Sequence, residues 1–142
     1  MRKIEYIVIH CTGTRTETSV ASILKYWRET KGWENPGYHF LISHRNSNIH
    51  QLIPINEIAN GAIGHNHNSI HIAYIGGLDA NGEYNDTRTD ATKHKMMDLI
   101  RKAKARWPNA VVLGHRDLPD VHKECPCFDV QKWIEEYDNT FL

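Results

Sequence analysis

The sequence predicts a single α/β domain over residues 1–142, with a central mixed β-sheet flanked by about three helices. Three observations predict it. Short β-branched runs such as "IEYIVIH", "SIHIAYIGG" and "AVVLGH" alternate along the chain with segments of helical period. Turn-forming clusters separate them, with no internal repeat and no linker. The length of 142 residues, with 40% apolar and 24% charged side chains, suits one hydrophobic core and excludes wholesale disorder.

Each element has a local reason. Ile4 to His10 is β-branched and reads as a buried first strand. "CTGTRTETS" is a loop, and Thr18 or Ser19 caps a helix in which Val20, Ile23, Leu24 and Trp27 share a face. Gly32 is its stop. "YHFLIS" is a strand joined through a turn at Asn46 to Asn48 to "IHQLIPI", where Pro54 restricts the second strand to an edge or an end. "SIHIAYIGG" is a third run of strand, ended by two glycines, and "LDANGEYNDTRT" is a loop. Thr89 or Asp90 opens a long helix with Met96, Ile100, Ala103 and Trp107 on one stripe, and Pro108 ends it. "AVVLGH" is a short buried strand. Asp129 caps a last helix with Val130, Trp133, Ile134 and Tyr137 on one face.

Charge and cysteine content exclude several function classes. With 17 basic and 17 acidic side chains, bulk charge draws the chain neither to nucleic acid nor to an anionic membrane. The run "RKAKAR" reads as a solvated helix face. Three cysteines, an odd number without framework spacing, argue against a disulfide-stapled fold. The opening "MRKIEYIVIH" is broken by Glu5 and followed by no small-residue cleavage site, so a strand is expected there rather than a signal peptide. No apolar run approaches the ~20 residues a membrane span needs. Synthesis in the cytoplasm is therefore expected, with work outside the cell needing another exit route.

Ten histidines are a surplus, and two stand out by position. His10 and His115 each follow a buried strand, where open α/β sheets place their sites. Tetrahedral zinc needs ligands held on such a rigid platform, and two His with one Cys leave one coordination position open. A loop from His115 to Cys125 allows a thiolate to return to the imidazole. Spacing alone leaves two readings open: a half-open zinc site, or strand-end histidines satisfied within the fold. It also leaves open whether Cys125, Cys127, both or neither takes part.

The stretches "IVIHCTGT", "KGWENPGYHFLI", "HNHNSIHIAYIGGLDANGEY", "GHRDL" and "KECPCFDVQKW" together resemble the zinc-dependent N-acetylmuramoyl-L-alanine amidases of the type-2 amidase and peptidoglycan-recognition fold, their small phage members in particular. The resemblance runs from Ile7 to Trp133. It implies a mixed sheet with Zn2+ in a groove, and hydrolysis of the amide between N-acetylmuramic acid and L-alanine in peptidoglycan. It implies His10, His115 and Cys125 as metal ligands, and Tyr38 and Lys123 as assisting residues. Cys127 falls at the family's variable position after proline and is expected to be a passenger, and Cys11 to be a small buried hydrophobe. Many members carry a glutamate where this chain has Ala73, and often a glycine where it has His71. His39 is expected to be structural, on the sheet face opposite Tyr38, and His65 and His67 to be surface or groove-rim histidines with no catalytic role. A monomer is the default for this compact chain, and its balanced charge suggests no nucleic-acid partner; the expected lack of a signal peptide suits either a phage-type lysin released to the wall by lysis or a holin-like partner, or a cytoplasmic recycling enzyme. Two alternatives accompany it: a non-catalytic peptidoglycan-binding module, which typically lacks the cysteine, and a lysozyme-like protein that also regulates a protein partner.

Overall fold

The computed structural model describes residues 2–141 and the side chains of residues 2–137, so Met1 and Leu142, the ends of the expected domain, lie outside the described residues. The elements run β1 (Tyr6–Cys11), β2 (Thr14–Arg15), α1 (Val20–Lys25), β3 (Phe40–Ile42), β4 (Ile49–Gln51), β5 (Ser69–Tyr74), β6 (Gly77–Leu78), α2 (Asp90–Arg106), β7 (Val111–Gly114) and α3 (Val130–Phe141). The main sheet has the order β4-β3-β5-β1-β7. β3, β5, β1 and β7 are parallel, and β4 joins β3 antiparallel, so the sheet is mixed as expected.

Strands β1 and β5 lie inside the sheet with both faces covered, and their sequences are accordingly almost unbroken runs of buried residues. Alternation sends Ile7, Ile9 and Cys11, with Ile70, Ile72 and Tyr74, onto Met96 and Ile100 of α2 and Val130 of α3. Burying each large aliphatic side chain there contributes roughly 1.5–3 kcal/mol. Val8, His10, His71 and Ala73 take the opposite face. There Ala73 packs with Leu41 under Ile23 of α1 and Trp27.

The caps follow the sequence. Ser19 accepts from the Ser22 N–H, Thr89 from the Thr92 N–H and Asp129 from the Lys132 N–H. β4 lies at the sheet edge and ends at Gln51, three residues before Pro54, within the limit that proline sets. Three differences stand out. The first helix does not run unbroken to Gly32: α1 ends at Lys25, and Tyr26–Thr30 form a wider π turn closed by the Lys31 N–H on the Tyr26 carbonyl. Gly32, with φ +69°, then ends the segment in a conformation that suits glycine. Second, β2 and β6 pair in a separate two-stranded sheet, each too short to show a period-2 pattern. Third, β7 is only half buried. It lies at the sheet edge and leaves Val111 50% exposed.

Candidate active site

β1 and β7 are parallel neighbours with Ile9 opposite Gly114. The residues that follow, His10 and His115, therefore emerge side by side, with ring centroids 4.7 Å apart. Both are buried, at 1% and 8% exposure. The chain from Arg116 loops back, and the Arg116 N–H donates to the Cys125 carbonyl at 3.0 Å. That closure sets the Cys125 Sγ 3.8 Å from the His10 Nδ1. One donor atom from each of His10, His115 and Cys125 lies within 4.8 Å of the others.

The neighbouring thiols go elsewhere. Cys127 has φ 72°, a left-handed conformation that favours glycine, and its Sγ sits 3.8 Å from the Cys11 Sγ among the helix-side core. Burial, then the charge of Cys11, pushes the Cys127 thiol up to about 12, so it remains protonated at neutral pH. Cys11 is buried with its side chain away from His10, as expected. Its backbone does touch the site: the Cys11 N–H donates to the Cys125 Sγ at 3.2 Å.

This donor set fits zinc. Bonds of ~2.0–2.1 Å to nitrogen and ~2.3 Å to sulfur place tetrahedral N and S ligands about 3.6 Å apart, close to the 3.8 Å between His10 Nδ1 and Cys125 Sγ. The histidines are also held in the neutral form that binds metal. Burial first, then the charges of His71, His115 and Lys123, holds His10 well below the ordinary imidazole range. Burial first, with the Lys123 charge, pushes His115 down to about 4. His10 has a further partner that spacing did not reveal: its Nε2 lies 2.8 Å from the His71 Nδ1.

Tyr38 stands over this cluster, its ring 4.9 Å from that of His10. Its hydroxyl donates to the Cys11 carbonyl at 3.2 Å. Burial, then the negative charge of Cys125, raises its pKa well above that of a free phenol, so it stays neutral. Lys123 is exposed and lines the same groove. Ala73 lies beside His10 in the β1–β5 register, so no carboxylate comes from that position. His39 corrects the expectation of opposite faces. Tyr38 and His39 precede β3, where strict alternation does not hold, and the His39 ring lies parallel to that of His71 with centroids 5.9 Å apart. The His65 ring stands nearly perpendicular to that of Tyr6, with centroids 6.0 Å apart, and His67 is exposed.

His115 and Cys125, with His10 buried directly behind them, line a groove of about 1140 Å3. Trp27 and Trp33, stacked with centroids 6.3 Å apart, line it with Tyr84, Asn60, Lys31 and Arg116. An aromatic wall with amide and cationic groups suits a ligand carrying sugar and peptide parts. The sequence places Trp27 on one face of the first helix and does not point to this wall. The signal that could have found the wall is the pair of tryptophans bracketing "RETKG" ahead of the turn at Pro36.

Two strand-end histidines and a loop cysteine beside an open groove, on a mixed α/β sheet, are the layout of a metal-dependent hydrolase. The profile of the N-acetylmuramoyl-L-alanine amidase family matches residues 1–128, and the chain belongs to that family. It is 30% identical over 133 residues to the endolysin of Enterobacteria phage T3, covering 93% of this chain and 86% of that protein. It is 30% identical over 131 residues to the endolysin of Escherichia phage T7, covering 92% and 85%. The structure of the Ph2119 endolysin from Thermus scotoductus MAT2119 bacteriophage Ph2119 superposes with a TM-score of 0.79 at 22% identity, over 96% of this chain and 86% of that one, and has the same fold.

Proposed function

We propose that this chain is a zinc hydrolase that cleaves the amide between N-acetylmuramic acid and L-alanine in bacterial peptidoglycan. His10, His115 and Cys125 hold the ion, and Tyr38 and Lys123 assist. Membership of the amidase family supports the reaction. The observation that carries the residue assignment is the convergence of two imidazoles and one cysteine sulfur within 4.8 Å beside the groove. When bound, zinc lowers the pKa of a water in its open position to ~7 and polarises a carbonyl.

The protein groups divide the remaining work. The Tyr38 hydroxyl has its proton engaged on the Cys11 carbonyl, so its oxygen lone pairs are free to accept a hydrogen bond from the attacking water. Lys123 supplies a positive charge at the groove wall for the oxygen of the scissile carbonyl as it gains negative charge. The indoles of Trp27 and Trp33 offer apolar faces for the glycan or stem peptide. Catalysis is favoured over a binding-only module because the cysteine donor is present.

Zinc-loaded protein incubated with purified sacculi is expected to release new L-alanine amino termini. Zinc at one ion per chain without such termini overturns the reading and leaves a binding module. An exit route by lysis or a holin-like partner, and a monomeric state, belong to the same reading. Among the described residues no helix is long and apolar enough to cross a membrane.

A further inference from the structure

The His10 ring reaches toward Cys125 with one nitrogen only. The Nδ1 lies 3.8 Å from the Cys125 Sγ, while the Nε2 is turned inward onto the His71 Nδ1 at 2.8 Å. Hydrogen-bond polarity along the inward chain decides which nitrogen of His10 carries the proton. It begins at Asn66, whose Oδ1 accepts the Ala62 backbone N–H at 2.7 Å. A backbone N–H only donates, so that atom of Asn66 is the oxygen. The same Oδ1 lies 3.0 Å from the His71 Nε2. Two acceptors facing each other would repel, so the His71 proton is on Nε2 and its Nδ1 is a bare acceptor. The His10 Nε2 must then carry the proton that fills the 2.8 Å contact, which leaves the His10 Nδ1 lone pair directed into the site.

His71 is held for this task on several sides. Its ring lies parallel to His39, and its backbone N–H donates to the His39 Nδ1 at 3.0 Å. The His39 proton is therefore on Nε2, which donates to the Glu57 carbonyl at 2.8 Å. On a further side is Gly61, where a Cβ would come 2.5 Å from the His71 Nδ1, closer than any side chain can approach. The chain thus leaves space beside one buried imidazole so that it can meet another.

We propose that Asn66 and His71 are positioning residues: hydrogen bonds from the Ala62 backbone through Asn66 and His71 lock His10 in the tautomer that offers Nδ1 to the metal. The inference rests on the zinc reading above for its purpose, but not for its first test. A metal ligand whose other nitrogen is anchored is pre-oriented and more basic, and loss of such an anchor costs roughly 10–100-fold in metal affinity. Tyr38 and Lys123 act at the substrate, whereas this pair acts through His10.

The test begins with 15N-labelled wild-type protein stripped of metal. Long-range 1H–15N correlation spectra are expected to show both His10 and His71 protonated on Nε2, and a His10 proton on Nδ1 overturns the proposal without any variant. Zinc affinity is then measured by chelator competition for wild type, His71→Phe, which keeps a ring and leaves the Asn66–Ala62 bond intact, and Asn66→Ala. Both variants are expected to bind zinc about 10–100-fold more weakly, with His10 sampling both tautomers. Unchanged zinc affinity in a folded variant overturns the inference. If neither variant folds, the wild-type spectrum decides alone. Wild-type protein that binds no zinc refutes the zinc reading instead, and the two failures are distinct.

Discussion

The backbone N–H of Cys11 donates to the sulfur of Cys125 at 3.2 Å, tying the end of the first strand to a loop more than a hundred residues later in the chain. A hydrogen bond of this kind stabilises the thiolate and fixes its lone pairs relative to His10 on the same strand. Cys125→Ser is expected to lower zinc affinity by more than about a hundredfold, since loss of a ligand costs more than loss of an outer anchor. Cys127→Gly is expected to leave it unchanged, because Cys127 faces Cys11 and has φ 72°. Zinc titration of both variants checks this, and equal losses would show the assignment to be wrong. Chelation should also lower the melting temperature of the wild type but not of Cys125→Ser, since ligands from both ends of the chain converge on one point.

Gly114, the residue before His115, packs directly against the ligand loop. A Cβ there would sit 2.8 Å from the Pro126 Cδ and 3.1 Å from the Asp117 Oδ2. Its φ is an ordinary one, so the requirement is space rather than backbone conformation. Gly114→Ala is expected to push the Cys125–Pro126 segment outward. Displacing a reacting group by about 1 Å can cost on the order of a hundredfold in rate, and sacculus digestion should show a loss of that size. A wild-type rate with full zinc content would mean that the loop yields without moving Cys125.

The legible part of the site was the part that depends on element ends. His10 and His115 are legible because strand termini present side chains at the edge of a sheet, and strands are readable from local composition. Separating Cys125 from Cys127 took the family resemblance; its physical basis, the left-handed conformation at Cys127, leaves no trace in spacing. The link from His71 to His10 was not legible, because it depends on two strands 61 residues apart pairing side by side. Nor was the π turn at Tyr26, since Ile23 and Trp27 keep the same buried face in either helix type.

Acid should destabilise the metal-free fold. Burial first pushes His39 down from 6.5 to about 4, and His115 is likewise lowered to about 4. Between these values the unfolded chain binds protons that the folded chain excludes. Stability therefore rises with pH through this window, is fully present above about 6.5, and falls as pH drops toward about 4. Denaturant midpoints of chelator-treated protein, measured across the window, check the sign. A flat profile would place both imidazoles in contact with solvent.

Tyr38 offers the sharpest separation of chemistry from structure. Its ring packs edge-on against Trp27, with centroids 5.3 Å apart, and lies 4.9 Å from the His10 ring. Tyr38→Phe keeps both contacts and removes only the hydroxyl that bridges from the Cys11 carbonyl toward the site. Zinc affinity and the melting temperature should then stay near wild type. If the hydroxyl oxygen orients the attacking water, kcat is expected to fall by about a hundredfold or more, while KM changes little because the groove walls are intact. The measurement is release of L-alanine amino termini at saturating and limiting substrate. A rise in KM at unchanged kcat would move Tyr38 from the reacting centre to the binding wall.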